Sequence, residues 1–398
     1  MLDLSRQYLL LREEILEAIA QVLDSQRFIL GPQVAAFENA AATACASSFA
    51  IGCASGTDAL WLALASAGIG SSTGAGAPHL KAETRDSAPA IITTPFTFFA
   101  TASAILRAGA RPLFADIDPH TFNLSPQSVA EVLRSPAGAN VKAILPVHLY
   151  GQCADWDAFA ALQQDRPGLQ LIEDAAQAFG AMWTTPGQPA RPAGSLGAAA
   201  AFSFYPTKNL AAMGDAGLVT TSSAEIDCRA RSLRAHGMTR RYFHDEVGAN
   251  SRLDTIQAAV LLVKIRYISQ WNHQRRDRAA RYDQLFRDAG LTTPSSTDDG
   301  IVLPFTDPRA THVFHQYVIR APRRDALRDH LTAQGIGSEV FYPVPLHLQA
   351  ALKDLGYQSG DFPHAERAAS EVLALPIYPE LRDDEQRAVV DAIRSFYA

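Results

Sequence analysis

Lys208 is the strongest candidate for a reactive side chain in this sequence. It lies in "FSFYPTKNLAAMGDAG", shortly after an apolar run that predicts a buried strand. Ligands of open α/β sheets bind at the carboxyl ends of the strands, so this amine is expected at a binding edge, where it could form an imine with an aldehyde. A solvated surface charge is the alternative, and it is what we expect of the other four lysines, Lys81, Lys142, Lys264 and Lys353.

Several other features match what a pyridoxal 5'-phosphate (PLP) ring needs beside such an amine. "LQLIEDAAQAFG" places Asp174 at the end of an apolar strand, where a carboxylate could keep the pyridine nitrogen protonated. "CASGTDALWLAL" predicts a strand, a turn at Gly56 and a helix opening at Thr57, which suits a phosphate. "TPFTFFATASAI" puts Phe98 at another strand–helix junction as a flat partner for the ring, and Ser203 lies near the edge that carries the lysine. Taken singly, helix capping explains the acid equally well and is the favoured explanation of the glycine turn, and core packing explains the phenylalanine.

A sheet is needed to bring these residues to one edge, and the sequence predicts one. Seven short apolar runs alternate with helical segments between about residues 48 and 221: "FAIGCA", "AIITTP", "RPLFADI", "KAILPVH", "LQLIEDA", "AAAAFSF" and "GLVTT". Their near-continuous apolar character is typical of strands buried on both faces. We therefore expect an α/β fold with a mostly parallel central sheet flanked by helices.

The rest of the chain predicts a second, smaller α/β domain. A long amphipathic helix is expected from "SRLDTIQ" to "RYDQLF", followed by the strand "HQYVIRAP", the helix "RRDALRDHLTAQG" and the strand "GSEVFYP". Two stretches, "HAERAASEVLALPIYPEL" and "DDEQRAVVDAIRSFY", add helices at the end. We expect a large domain over residues 1–250, and a linking helix with the small domain over 251–398. Residues 70–90, rich in Gly, Ser, Ala and Pro, predict a mobile surface loop.

Composition argues against several other classes of protein. The chain has 398 residues, of which 47% are apolar, and its formal charge of −6 argues against nucleic acid or an anionic membrane as partner. The four cysteines are far apart, so neither a metal site nor a disulfide framework is indicated. Charges run throughout the N-terminal segment, which is therefore not a signal peptide, and no apolar run is long enough to cross a bilayer. We expect a cytoplasmic protein.

The order of the motifs resembles that of the DegT/DnrJ/StrS-type sugar aminotransferases, which are PLP enzymes of the aspartate-aminotransferase fold (fold type I). The resemblance runs through nearly the whole chain, in "RFILGPQVAAFE", "ASGTDAL", "TPFTFFATASAI", "ARPLFADIDPHTFNLSP", "PVHLYGQ", "IEDAAQAFGA", "FSFYPTKNLAAMGDAG", "GANSRLDTIQAA" and "EVFYPVPLHLQ". One lysine at a strand end does not produce such a series by chance.

The resemblance implies a role for each matching residue. Lys208 would form the imine with PLP and then carry a proton between the amino donor and the cofactor, while Asp174 would pair with the pyridinium nitrogen. Gln177 would lie near the ring hydroxyl and Phe98 would stack on the ring. The phosphate would be held by Gly56, Thr57, Ser203 and, from the neighbouring subunit of a homodimer, Asn250.

The resemblance also implies the reaction. An amino group moves from L-glutamate to a keto sugar carried on a nucleoside diphosphate, in two half-reactions. Because "GDAG" after the lysine resembles the form found in enzymes that act on 3-keto sugars, we expect a dTDP- or UDP-linked 3-keto hexose, aminated for a polysaccharide or a glycosylated metabolite. Candidate contacts to this substrate are Arg240, Tyr242, His244 and His347. A solvated loop is the alternative for the first three and a structural histidine for the last.

Two other functions share this fold. Related sugar dehydratases use the same cofactor, but a histidine replaces their imine-forming lysine, so the lysine at position 208 argues against that reaction. A regulatory protein that binds PLP without catalysis is the other alternative. The sequence contains no helix-turn-helix or basic extension that would support it.

Overall fold

The structure is a computed structural model, which describes residues 2–70, 88–294 and 300–398. Most of the loop predicted over residues 70–90 lies outside these described residues. The α-helices are α1 (Leu4–Ser25), α2 (Pro32–Ala44), α3 (Gly56–Ser66), α4 (Ala100–Arg107), α5 (Pro126–Arg134), α6 (Trp156–Gln164), α7 (Ala224–Leu233), α8 (Thr255–Ile265), α9 (Ile268–Asp288), α10 (Arg324–Ala333), α11 (Pro363–Glu371) and α12 (Asp383–Tyr397).

The strands form one large sheet and three small ones. They are β1 (Phe49–Cys53), β2 (Ala90–Thr93), β3 (Arg111–Phe114), β4 (Val141–Ile144), β5 (Gln170–Asp174), β6 (Met182–Trp183), β7 (Arg191–Pro192), β8 (Ala199–Ser203), β9 (Gly217–Thr221), β10 (Met238–Arg240), β11 (Phe243–His244), β12 (Ala310–Thr311), β13 (Tyr317–Arg320) and β14 (Val372–Leu375). The large sheet has the order β1-β9-β8-β5-β4-β2-β3. Strand β9 is antiparallel to both neighbours, and the other pairs are parallel.

These seven strands are the seven apolar runs of the sequence, so the mostly parallel α/β fold is confirmed. Every residue of β2 and of β9 is buried, as expected for a sheet covered on both faces. Helix α3 packs Leu60, Trp61 and Leu64 against one face. Helices α2 and α8 contribute Phe37 and Val260 to the apolar cluster on the other face.

The C-terminal part has its own apolar cluster around the antiparallel pair β13–β14. Helix α9 connects this cluster with the sheet, since Trp271 packs in the core beneath the sheet while Tyr282 and Phe286 belong to the C-terminal cluster. A domain boundary near residue 250 stays a prediction. Nowhere in the described ranges is a helix long and apolar enough to cross a membrane.

Two local predictions were wrong. The long helix after "SRLDTIQ" is two helices, α8 and α9, which meet where the adjacent side chains of Arg266 and Tyr267 both bond to Glu14 of α1. The predicted strand "GSEVFYP" contributes only a bridge between Glu339 and Ala374. Strand β13 pairs instead with β14, which lies in a stretch expected to be helical. Four consecutive buried apolar residues in β14 explain this pairing.

Candidate active site

A cavity of about 780 Å³ lies beyond the carboxyl ends of β5 and β8, with residues 339–343 of the C-terminal part on one wall. The sequence predicted that side chains from several strand ends would meet here. The cavity is lined by seven of the predicted cofactor residues, namely Lys208, Asp174, Gly56, Thr57, Phe98, Gln177 and Ser203. Side chains that are far apart in the sequence therefore share one site.

Lys208 stands in a tight turn after β8, in which its backbone N–H donates to the Tyr205 carbonyl (2.8 Å). A second bond, from Ala212 N–H to the Phe204 carbonyl (2.8 Å), closes the loop around the lysine. Burial lowers the pKa of the Lys208 amine to about 8, and the Asp174 charge acts in the opposite direction. The uncharged amine, which is the form that attacks an aldehyde, is therefore much more populated near neutral pH than in an ordinary lysine, although the charged form still predominates.

Asp174 is the last residue of β5, and only 3% of it is exposed. Its carboxylate accepts the Thr101 hydroxyl at Oδ2 (2.7 Å) and the Ala176 N–H at Oδ1 (3.2 Å), which leaves lone pairs unused. Burial raises the pKa of this carboxyl, although both hydrogen bonds and the charge of Lys208 act against the rise. A cationic group in the cavity would complete the set of partners that a buried carboxylate requires.

The neighbouring acid, Glu173, shows what a structural carboxylate looks like in this sheet. It is fully buried and accepts N–H groups from Gly194 (2.8 Å), Leu196 (2.9 Å) and Gly197 (2.9 Å), together with His148 Nε2 (3.1 Å). These four donors come from the protein itself, so Glu173 holds loops together. Strand alternation points it away from the side that Asp174 faces.

The start of α3 is shaped to hold an anion. Ser55 caps the helix by accepting the Asp58 N–H (3.1 Å), and the first N–H groups of a helix have no acceptor within it. A Cβ at Gly56 would lie 2.5 Å from Ser203 Cβ, so only glycine lets the helix start and this serine approach each other. The last glycine of "GDAG", Gly217, has the same role, because its Cβ would lie 2.2 Å from the Ser55 carbonyl oxygen. Backbone N–H groups and a hydroxyl thus converge as a phosphate requires.

Another part of the cavity wall is formed by the aromatic side chains of Phe98 and Tyr342. Phe98 is 59% exposed, so it is not a core residue, and its ring centroid lies 6.1 Å from that of Tyr342. Gln177 accepts the Tyr150 N–H at Oε1 (2.6 Å) and donates from Nε2 to the Tyr342 hydroxyl (3.1 Å). An amine, a carboxylate, an anion cradle and a flat apolar face therefore surround one space, and these residues fit PLP.

The predicted substrate contacts lie elsewhere in the chain. Arg240, Tyr242 and His244 are on the exposed β10–β11 hairpin, where the Arg240 guanidinium lies 3.7 Å from the centroid of the Phe243 ring. Asn250 follows the hairpin and bridges Ala235. No residue from this hairpin segment, 238–250, belongs to the described lining of the cavity.

His347 is likewise outside the described lining of the cavity. Its side chain is buried, and Nε2 bonds Glu366 Oε1 (3.0 Å) while its ring packs edge-on against Phe362. Within this chain, His347 holds two C-terminal segments together, as the structural alternative predicts.

Several residues that line the cavity were not found from the sequence, among them Thr97, Thr101, His315 and Tyr342. A usable signal existed for the two threonines. They follow the end of β2, Thr97 just before α4 and Thr101 in its first turn, and their hydroxyls lie 3.2 Å apart beside Asp174. His315 and Tyr342 come from the C-terminal part, whose docking onto the sheet edge cannot be read from local patterns.

The expectation of four solvated lysines was wrong at one position. Lys142 and Lys353 are exposed, and Lys81 lies outside the described residues. Lys264, however, is only 5% exposed on α8, and burial alone lowers the pKa of its amine to about 8. Its neighbours in the sequence, "AAVLLVKI", are apolar on every side of the helix, which was the available signal.

Comparison with known proteins agrees with this geometry. The model of the DegT/DnrJ/EryC1/StrS aminotransferase family matches residues 10–394. A protein of Geobacillus stearothermophilus named "Pleiotropic regulatory protein" is 45% identical, with 100% of this chain and 98% of that protein covered. The dTDP-3-amino-3,4,6-trideoxy-alpha-D-glucose transaminase of Streptomyces venezuelae is 40% identical, with 99% of this chain and 95% of that protein covered.

Solved structures show the same relationship. S. venezuelae DesV in complex with a ketimine intermediate superposes with a TM-score of 0.87 at 40% identity, covering 99% of this chain and 97% of that one. NtdA of Bacillus subtilis, with bound cofactor PMP, gives a TM-score of 0.80 at 28% identity, covering 96% and 80%. The fold expected from the resemblance, that of the PLP-dependent aminotransferases, is thus confirmed. This chain belongs to the DegT/DnrJ/EryC1/StrS aminotransferase family.

Proposed function

We propose that this aminotransferase uses PLP to move an amino group from L-glutamate to a keto hexose carried on a nucleoside diphosphate. The proposal rests on one observation, the presence of the Lys208 amine and the buried Asp174 carboxylate in a single cavity. When bound, PLP supplies an aldehyde for the amine and a ring that stores electrons while a proton is removed from carbon.

Each residue of the cavity then has a task set by its surroundings. Lys208 Nζ would take the proton from Cα of the amino donor and deliver it to the cofactor, because its lowered pKa lets it act as base and then as acid. Asp174 holds a negative charge at the ring nitrogen, fixed in orientation by the Thr101 hydroxyl. The first turn of α3 and Ser203 bind the phosphate, and Phe98 covers the ring.

The acceptor that we propose is a dTDP- or UDP-linked hexose with its keto group at C3. Two observations support this choice: the "GDAG" form at 214–217, and the 3-amino sugar in the name of the S. venezuelae relative. Asp215 of that motif lines the cavity. The aminated product would enter a polysaccharide or a glycosylated metabolite, in the cytoplasm.

The working unit that we propose is a homodimer with shared active sites. Arg240, Tyr242, His244 and Asn250 are absent from the described lining of their own cavity, which supports a contribution to the cavity of another copy. The hairpin also exposes two aromatic side chains, Tyr242 (77%) and Phe243 (54%). Leu9 and Leu10 of α1 are similarly exposed, and such apolar patches mark interfaces.

The decisive experiment is the first half-reaction alone. The purified chain is mixed with PLP and L-glutamate, and we expect the absorbance of the bound cofactor to change while one equivalent of 2-oxoglutarate per site is released. Keto-sugar nucleotides are then added to the aminated protein, and the 3-keto hexoses are expected to restore the first spectrum. An unchanged spectrum without 2-oxoglutarate would contradict the proposal and favour a regulatory PLP-binding protein.

A further inference from the structure

Two hydroxyl groups form a chain that ends on the Asp174 carboxylate. Thr101 Oγ1 lies 2.7 Å from Asp174 Oδ2, and Thr97 Oγ1 lies 3.2 Å from Thr101 Oγ1. Thr97 and Thr101 are only 3% and 1% exposed, so both side chains are shielded from bulk water. Among the described residues, Thr101 is the one hydrogen-bond partner of the Thr97 hydroxyl. Thr97 is therefore the outer end of the chain.

The chain connects two elements that are not neighbours in the large sheet. Thr101 lies in the first turn of α4 and Thr97 just before that helix, so both follow β2. Asp174 ends β5, and β4 lies between β5 and β2. The hydroxyls thus link the start of α4 to a strand end two places away, and such a buried network restricts how the carboxylate can turn.

The chemistry of the carboxylate fixes the direction of both hydrogen bonds. An ionised carboxylate can only accept, so Thr101 donates its single hydroxyl hydrogen to Asp174 Oδ2. The Thr101 oxygen is then the acceptor of the second bond, and Thr97 is its donor. Oδ1 of the acid accepts the Ala176 N–H (3.2 Å), and a backbone N–H cannot reverse its role. Every bond in this arrangement therefore favours the charged form of the acid.

The outer bond strengthens the inner one. Hydrogen bonds in a chain polarise one another, and the effect is larger where burial lowers the local dielectric, as it does here. A Thr101 hydroxyl that accepts from Thr97 is thus a stronger donor to Asp174. Thr97 makes no hydrogen bond of its own to the acid within the described part of the chain, so its effect must pass through Thr101.

We propose that Thr97 is a positioning residue for Asp174, because its hydroxyl, by donating to Thr101, holds the Thr101 hydroxyl in the orientation that donates to the carboxylate. In the reaction proposed above, on which the catalytic value of this step rests, the acid must keep both its charge and its orientation at the ring nitrogen of PLP. A threonine that only filled space would affect folding and leave the titration of the acid unchanged.

Three further titratable groups act on Asp174 or are acted on by it, namely Lys208, His148 and Tyr342. Burial raises the pKa of the Asp174 carboxyl, and the charges of Lys208 and His148 act in the opposite direction. Burial, followed by the Asp174 charge, raises the pKa of the Tyr342 hydroxyl. None of the three is bonded to Thr97 in the described structure, so a shift caused by a change at Thr97 reports on the hydroxyl chain.

The test is a titration of the Asp174 carboxyl in the full-length chain without cofactor, by ¹³C NMR of carboxyl-labelled aspartate assigned with Asp174→Asn. Thr97→Val removes the outer donor at nearly constant shape and should raise the pKa of Asp174, by about a third of the rise that Thr101→Val causes. Thr97→Ser keeps the hydroxyl and should restore the parental titration. A folded Thr97→Val chain with an unmoved Asp174 pKa would overturn the proposal.

Thr93→Val is the matched control for that titration. The Thr93 hydroxyl is also buried, but it donates to the Leu145 carbonyl (2.8 Å), so its loss costs a buried hydrogen bond outside the chain. We expect the Asp174 titration to stay parental in this variant. A rise equal to that in Thr97→Val would mean that any lost hydroxyl of this segment disturbs the acid, which would contradict the proposal.

A double variant asks whether the effect of Thr97 passes through Thr101. Once Thr101→Val has removed the inner donor, adding Thr97→Val should raise the pKa of Asp174 no further, because coupled residues are not additive. A rise in the double variant equal to the sum of the two single rises would refute the chain. None of these measurements uses PLP or glutamate, so failure here is distinguishable from failure of the half-reaction.

Discussion

Lys208 and Lys264 are two buried amines with the same pKa, about 8, and different surroundings. Lys208 lines a cavity together with Asp174, whose charge raises the pKa of the amine, and with His315, whose pKa is lowered in part by the charge of Lys208. Lys264 is packed on α8, and no charged group among the described residues contributes to its pKa. Burial alone thus produces a reactive pKa at a position that has no chemistry to perform.

The comparison shows which observation identifies the active lysine. A lowered pKa reports desolvation, which affects any amine that the fold covers, whatever its function. Function requires in addition a space for the reactant and groups that place the amine against it. Lys208 satisfies both conditions, and Lys264 satisfies neither.

The same substitution at both lysines gives the strongest test of whether the two sites differ in function. Lys208→Met should abolish release of 2-oxoglutarate, with a fall of about 1000-fold or more, because the chain loses both its nucleophile and its acid–base group. Lys264→Met should leave the half-reaction within about twofold, since Lys264 is not part of the described lining of the cavity. Single-turnover kinetics with L-glutamate measure both.

Circular dichroism and the native oligomeric state serve as controls for that pair. A Lys208→Met chain that still turned over at the parental rate would remove Lys208 from the mechanism. Equal losses in both variants would mean that the two lysines act through stability and not through chemistry.

Asp174 acts on Lys208, whereas no carboxylate acts on Lys264 among the described residues. Removal of Asp174 should have the next largest effect on the half-reaction. In Asp174→Asn the amide cannot hold a negative charge at the ring nitrogen, so we expect a loss of about 100-fold or more in the glutamate half-reaction. Binding of PLP should survive, because the phosphate cradle at Gly56 and Ser203 is untouched. Stopped-flow absorbance with equilibrium binding separates the two effects, and an unchanged rate would contradict the role of the acid.

Much of the sheet was predictable because its strands are buried on both faces, which makes apolar runs such as β2 and β9 unambiguous. The run in "SEVLALPI" was not, because a short apolar stretch fits a helix or a strand until its partner is known, and that partner is β13. The break between α8 and α9 was also hidden. It depends on Glu14, which is about 250 residues away in the sequence.

The residues of the active site also divide into those that local sequence patterns predict and those that they do not. Asp174, Gly56 and Ser203 were predictable because each ends or follows a strand of one sheet, so local patterns place them at one edge. The place of His315 in the cavity was not, because it depends on contacts between distant segments, such as that of its Nδ1 with Asn209 Oδ1. Residues brought in by the C-terminal part require the tertiary structure.

The pH dependence of the free energy of unfolding should show what burial of the Lys264 amine costs. The amine of Lys264 titrates near 10.5 when unfolded and about 8 when folded, so the unfolded chain binds more protons between these values and stability rises with pH across that window. The cost of burying the charge is fully present below pH 8. Lys264→Met should therefore stabilise the cofactor-free chain by about 1–3 kcal/mol at pH 7, and the gain should shrink toward pH 10. Urea unfolding at pH 7, 8.5 and 10 measures it, and a gain that is constant with pH would mean that the amine is paired or charged differently.

The smallest expected effect concerns how the acid beside Lys208 is kept ionised. The Thr101 hydroxyl lowers the pKa of the Asp174 carboxyl against the effect of burial, so its loss in Thr101→Val should raise that pKa. The acid limb of the pH–rate profile for the glutamate half-reaction should then move to higher pH, with a rate loss of about tenfold or less at neutral pH, as expected for one hydrogen bond to a charged group. Thr101→Ser keeps the hydroxyl and should restore the parental profile. If Thr101→Val lowered the rate equally at every pH, the hydroxyl would position the carboxylate without influencing its charge. Lys208 would then differ from Lys264 only in the placement of its neighbouring groups.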